Sequence, residues 1–127
     1  MKILITGSNG QLGSELTKIL REGRSEIGPI PEVMINAQLD SIDLDDLDIT
    51  DINASSLYIT AASPDIIINC AAYTDVDACE ANREDAFRVN ALGARNMAIC
   101  AEKIGAKLVH LSTDYVFAGD ATKPYSE

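Results

Sequence analysis

Basic side chains are scarce in this 127-residue chain. Ten Lys and Arg stand against twenty Asp and Glu, for a formal net charge of −10. No stretch gathers the basic residues, which argues against a nucleic-acid partner, since a phosphate backbone calls for a positive stripe. No apolar run approaches the ~20 residues that a bilayer-spanning helix needs. The opening run, Met1-Lys2-Ile3-Leu4-Ile5-Thr6-Gly7, is broken by glycine too soon for a secretory leader. The expectation is therefore a cytoplasmic protein with no membrane partner. Cysteine is sparse too. Cys70, Cys79 and Cys100 form an odd set without metal-like spacing, which points to reduced, buried thiols. The single histidine, His110, lies inside an apolar run with no companion ligand and reads as a core or sheet-face side chain. Repeats and low-complexity segments are absent.

What remains is enough for one domain with a real core. Lys2 to Thr6 is a short aliphatic run and predicts a buried strand. Leu12, Leu16, Ile19 and Leu20 fall on one face of a helix that ends near Gly23. Gly28, Pro29 and Pro31 mark a loop. A weaker strand is expected from Ala37 to Asp43, anchored by Leu39 and Ile42. Thr50 or Asp51 can cap a helix running to about Ala62. Pro64-Asp65 then launches Ile66-Ile67-Ile68-Asn69-Cys70, the clearest strand after the first. A short helical turn near Val76 to Glu80 precedes a long helix over 84–104, closed by Gly105 as a left-handed cap. Leu108 to Leu111 is the fourth strand. This β-α-β-α-β-α-β order predicts an α/β fold, a doubly wound parallel sheet with helices on both faces and strand order 3-2-1-4.

Gly7, Gly10 and Gly13 sit at three-residue spacing between the first strand and the first helix. Gly7 permits a tight exit from the strand. Gly10 lets main chain approach a pyrophosphate with no Cβ in the way, and Gly13 lets the helix pack closely on the sheet. The helix start then offers free N–H groups and a partial positive charge to phosphates. No Gly-Lys-Ser/Thr follows, so this is not a Walker-type loop. A dinucleotide site usually places an acid at the end of the second strand, roughly 20 residues beyond the glycines, to hold the ribose hydroxyls. Asp43 is the candidate, set later by the Pro/Gly loop, although neighbouring acids between Asp40 and Asp51 could take the position. A carboxylate there repels a 2′-phosphate and favours NADH over NADPH. Most of the other acids in that stretch read as a solvated loop.

Thr6-Gly7-x-x-Gly10-x-x-Gly13 resembles the fingerprint of the extended short-chain dehydrogenase/reductase superfamily. Leu47-Asp48-Ile49-Thr50-Asp51, Asn69-Cys70-Ala71-Ala72-Tyr73-Thr74, Val89-Asn90 and Ser112-Thr113-Asp114-Tyr115-Val116-Phe117 narrow the resemblance to its dTDP-4-dehydrorhamnose reductase family. The resemblance covers nearly the whole chain and implies a Rossmann-like fold with NADH or NADPH as cofactor and a dTDP-sugar as substrate. It implies that Gly10, Gln11 and Leu12 contact the pyrophosphate, and that Asp48 and Ile49 meet the adenine. Ala71, Ala72 and Tyr73 would line the path of the phosphates and nicotinamide ribose. Asn90 would be the helix asparagine that steadies the sheet and active site. Thr113 matches the Ser/Thr of the catalytic triad, and Asp114 would touch the sugar.

One part of the family's machinery is missing. Its proton donor is a Tyr-x-x-x-Lys pair, in which lysine and the nicotinamide ribose lower the tyrosine pKa. Lysines stand at 2, 18, 103, 107 and 123. Where a residue exists four positions earlier, it is Ser14, Ile99, Lys103 or Gly119. Pro124-Tyr125-Ser126-Glu127 resembles the segment that precedes the pair. The chain is thus expected to be the cofactor half of a reductase of dTDP-4-dehydro-6-deoxy-L-mannose, cut short before its catalytic tyrosine and lysine and inactive alone. The alternative is a non-catalytic NAD(P)-binding regulatory subunit of the same family. An unpaired outer edge on the fourth strand would favour homo-oligomers.

Overall fold

β1 (Lys2–Thr6) forms where the aliphatic run predicts it, and four of its five residues are buried. The structure is a computed structural model and describes residues 1–125; Ser126 and Glu127, which close the segment likened to the family's pre-catalytic stretch, lie outside the described residues. α1 (Gln11–Glu22) follows the glycine turn, and Gly23 ends it at φ 69°, its N–H bonded to Ile19 O. β2 (Gln38–Ile42), α2 (Ile52–Ala62) and β3 (Ile66–Asn69) come next. Asp51 resolves the choice of cap for α2: its carboxylate accepts from the N–H groups of Asn53 and Ala54.

The long helix expected over 84–104 is not one element. α3 (Val76–Ala81) and α4 (Arg83–Phe87) lead into a π-helical turn, Arg88–Gly93, and only then into α5 (Ala94–Ile104). Gly105 closes α5 at φ 72°, as its position predicts. β4 (Lys107–His110) completes the sheet, and a 3₁₀ turn covers Asp114–Val116.

All four strands are parallel, as the alternation of strands and helices predicts, but their order is β2-β1-β3-β4 rather than 3-2-1-4. The reason is compositional. Ile66, Ile67 and Ile68 put aliphatic side chains on both faces of β3 and pack into both halves of the core, which suits an inner position. β2 carries Gln38, Asp40 and Ser41, which an edge strand tolerates. The chain therefore turns back across β1 after β2. Ile3 and Ile5 pack with Leu20 of α1 in one cluster; Leu4, Ile42 and Ile67 pack with Ile59, Met97, Cys100 and Ala101 of α2 and α5 in the other. α1 thus lies on one face, and α2 with α5 on the opposite face. The sense of winding reverses between β1 and β3, the position at which open α/β sheets bind ligands.

The buried face of α1 is displaced slightly from the expected stripe. Gly13, Thr17 and Leu20 are buried, whereas Leu12 is 44% exposed because it stands in the first turn, beyond the end of the sheet. His110 is an exposed residue at the end of β4, not a core one. Its Nδ1 lies 3.0 Å from Asn69 Nδ2, and Thr6 Oγ1 donates to Asn69 Oδ1, so a polar row links the carboxyl ends of β1, β3 and β4. Cys100 is buried, Cys70 and Cys79 are half-buried, and all three are free thiols. No helix among the described residues is long and apolar enough to cross a membrane.

Candidate cofactor site

The glycine turn is folded on itself. Gly7 takes φ 67°, and a Cβ there would stand 2.6 Å from the main chain of Ala71. A Cβ on Gly13 would collide with the carbonyl oxygen of Gly7. Gly7 O already accepts from the N–H of Gly10, so the turn and the start of α1 meet at one carbonyl, while the loop after β3 closes on the Gly7 Cα. Gly10 is less constrained, with its Cβ position 3.3 Å from the same oxygen.

The turn uses some of its amides internally and leaves others. Ser8 N–H donates to Ile42 O, and Asn9 N–H donates to Asp43 Oδ2 at 2.8 Å. Ser14 is the first residue of α1 whose N–H finds a helical partner, Gly10 O. Gly10 is the N-cap and supplies no side chain, so the N–H groups of Gln11, Leu12 and Gly13 point out of an uncapped helix end. Such an end suits a diphosphate.

Gly10, which opens this helix end, lines a cleft of about 260 Å³ at the switch point; Gln11, Leu12 and Gly13 are not among its lining residues. Thr6, Gly7 and Gly10 line it from one side, Cys70, Ala71, Ala72 and Tyr73 from another, and Asp43, Leu47, Asp48 and Ile49 from a third. No lysine or arginine is among the lining residues. Burial pushes the Cys70 thiol pKa up, so this wall presents a neutral group. A larger hollow of about 360 Å³ lies at the opposite end of the sheet, between Leu20–Gly23 and Ile35–Leu39. It faces the amino ends of the strands and has neither glycine turn nor free helix amides, so the smaller cleft is the chemically equipped one.

The acids between β2 and α2 do more than face water. Asp43 Oδ1 accepts from Leu44 N–H and its Oδ2 from Asn9 N–H, which ties β2 to the glycine turn. Asp46 accepts from Asp43 N–H, and Asp48 from Thr50 N–H. Leu47 and Ile49, both buried, pin this loop to the core. Across the cleft, Asn90 holds Tyr73 at two points: Oδ1 accepts its N–H at 2.8 Å, and Nδ2 donates to its carbonyl at 3.0 Å.

Most of the residues singled out from the sequence therefore surround one cleft. Gln11 and Leu12 open α1 beside it, and Gly13 is buried beneath. Thr113 and Asp114 are not among its lining residues. They are exposed beyond the carboxyl end of β4, where Thr113 Oγ1 donates to Asp114 Oδ1. The sequence reading missed Gly93 and Asn96. Asn96 is buried in mid-helix, and asparagine is a poor helix former unless its amide has work elsewhere, which is the signal that could have revealed it.

Sheet, switch point and glycine turn together are those of the dinucleotide-binding class of open α/β proteins. Within that class the assignment is narrower: residues 1–127 match the model of the RmlD substrate binding domain, and the chain belongs to that family. It is 43% identical over 120 residues to a dTDP-4-dehydrorhamnose reductase of Mycobacterium tuberculosis, covering 94% of this chain and 34% of that protein. It is 38% identical over 126 residues to the spore coat polysaccharide biosynthesis protein SpsK of Bacillus subtilis, covering 99% and 40%. Among solved structures, a dTDP-4-dehydrorhamnose reductase of Clostridium acetobutylicum superposes with TM-score 0.84 at 42% identity, over 98% of this chain and 40% of that one. The Bacillus anthracis enzyme, solved in complex with NADP, superposes with TM-score 0.77 at 42% identity, over 94% and 39%. The chain thus spans about 40% or less of the length of these relatives.

Proposed function

We propose that residues 1–127 form the NAD(P)H-binding domain of a reductase that converts dTDP-4-dehydro-6-deoxy-L-mannose to dTDP-L-rhamnose in the cytoplasm. The observation that carries this reading is the uncapped start of α1, with the amides of Gln11, Leu12 and Gly13 beside a turn in which Gly7 and Gly13 have no room for side chains. The residues present fit a dinucleotide. The amides and Gly10 take the pyrophosphate, Asp43 the ribose hydroxyls, Asp48 and Ile49 the adenine, and Ala71, Ala72 and Tyr73 the nicotinamide end. The bound cofactor supplies hydride. The chain orients it, and Asn90 keeps the Tyr73 wall in place from the π turn. Thr113 and Asp114 are assigned to the sugar. No complete Tyr-x-x-x-Lys pair lies within these 127 residues, and the chain alone is assigned binding without turnover.

The test is calorimetric titration of the chain with NADH and with NADPH. Saturable binding of at least one, abolished when Gly10 is replaced by glutamate, is expected. Absence of saturable binding to either would remove the basis of the assignment. Addition of the keto sugar to the cofactor-loaded chain should cause no NAD(P)H oxidation.

A further inference from the structure

The loop between β2 and α2 is gripped by α5 and the π turn that precedes it. Asn96 of α5 is buried and uses its side-chain Nδ2 twice, donating to Ile49 O at 2.9 Å and to Thr50 O at 3.1 Å. A guanidinium nitrogen of Arg88, in the π turn, donates to Thr50 Oγ1 at 3.2 Å. Between them Gly93 leaves room for the Ile49 side chain: a Cβ at Gly93 would stand 2.6 Å from Ile49 Cδ1 and 2.8 Å from Cγ1. Ile49 in turn lines the cleft. The same helical stretch holds the other wall through Asn90 and Tyr73. A π turn packs more residues into a turn than an α turn does and commonly appears where function demands a particular side-chain placement.

We propose that Asn96 and Gly93 are positioning residues for the adenosine end of the cleft. Asn96 fixes the main chain of Ile49 and Thr50, and Gly93 sets how far the Ile49 side chain sits back from the adenine space. This rests on the cofactor reading above and adds the residues that gauge one half of that site. Neither residue touches the ligand. Each acts through Ile49, so altering either one weakens recognition of the adenosine half and leaves the diphosphate cradle of the glycine turn as it is.

The experiment compares two probes, ADP-ribose and inorganic pyrophosphate, on the purified chain and on the variants Asn96→Ala and Gly93→Ala, with amide chemical shifts as readout. In both variants the dissociation constant for ADP-ribose should rise about tenfold, while that for pyrophosphate should stay within about twofold. Gly93→Ala clashes only with the Ile49 side chain, its other neighbour, Arg88 O at 3.6 Å, being in ordinary contact, so it keeps the test alive if Asn96→Ala does not fold. In an Ile49→Ala background nothing remains to be displaced, and Gly93→Ala should then change ADP-ribose affinity by less than about twofold. Unchanged ADP-ribose binding in a folded Gly93→Ala chain would overturn the proposal and leave the cofactor reading intact. Equal weakening of both probes, or an undiminished Gly93→Ala effect in the Ile49→Ala background, would also overturn it, because the effect would then be general loosening. Failure of the unaltered chain to bind either probe would bring down the cofactor reading itself.

Discussion

Replacing Gly7 by alanine separates two costs that a single glycine can conceal. One is conformational. An L-residue in the left-handed region costs about 1–2 kcal/mol, partly offset by the about 0.4–1 kcal/mol gained from restricting the unfolded chain. Gly23 and Gly105 carry that cost alone: they sit at φ 69° and 72° with nothing within 4 Å of a built Cβ. Gly23→Ala should therefore destabilise by about 1 kcal/mol. Gly7 has nearly the same φ, 67°, but its Cβ would meet Ala71 Cα and N at 2.6 Å and Cys70 C at 2.8 Å, all main-chain atoms. Ordinary contact begins near 3.4 Å, so the glycine turn and the loop after β3 would have to part by most of an ångström. Such overpacking adds about 1–3 kcal/mol. Urea denaturation of Gly7→Ala and Gly23→Ala, side by side, gives the difference directly. Gly7→Ala should lie below Gly23→Ala by about 2 kcal/mol, equivalent to a further fall in Tm of several degrees, roughly 4–12 °C for a domain of this size. If the two variants differ by less than about 0.5 kcal/mol, the close approach of the two loops has no energetic weight and the account of the turn is wrong.

Other outcomes follow from single contacts. Asp43→Asn removes a negative charge from the position assigned to the ribose. The NADPH-to-NADH affinity ratio should rise roughly tenfold, since a carboxylate facing a phosphate in solvent-like surroundings costs about 1–2 kcal/mol; an unchanged ratio in paired titrations would place the ribose elsewhere. Asp51→Ala takes away the acceptor for two α2 amides and should cost about 1 kcal/mol in thermal melts. At alkaline pH, three groups act in the same direction. Tyr58 is raised by desolvation and by Asp40, whose carboxylate its hydroxyl meets, and Cys70 and Cys100 are raised by burial. Each holds its proton more tightly when folded, so their contribution is complete below the unfolded values of 9.0 for Cys and 10.0 for Tyr, and is lost as pH rises through the folded ones. Denaturation midpoints should fall above that range, and less steeply for a Cys70→Ala/Cys100→Ala chain; a parallel fall would assign the loss to other groups.

Local patterns were legible in the sequence to the extent that local forces decide them. β1, α1 and the left-handed cap at Gly105 came from runs and glycines that have one reasonable conformation. The strand order did not, because right-handed crossovers permit both arrangements, and the choice turned on β3 having two aliphatic faces while β2 had polar residues to leave at an edge. The interruption of the long helix was hidden for a similar reason. Arg88–Gly93 has helical spacing, and its extra residue is stabilised by tertiary partners, Tyr73 and Ile49, that lie far away in sequence. In the site, the glycines announced themselves. The acids before α2 looked like surface charge, since the N–H groups they bind belong to a folded loop. Asn96 offered only its poor fit to a helix interior, because the carbonyls it serves are 46 and 47 positions away.

The crowding around the Gly7 carbonyl also sets what this turn can become. Positions 7 and 13 are closed to any side chain and position 10 has one tight contact, 3.3 Å from that oxygen, which leaves Ser8, Asn9, Gln11 and Leu12 as the places where substitution is most easily absorbed. A change of ligand preference in this lineage therefore has little room to arise in the turn and must arise in the segments that face it, the end of β2 and the loops after β2 and β3.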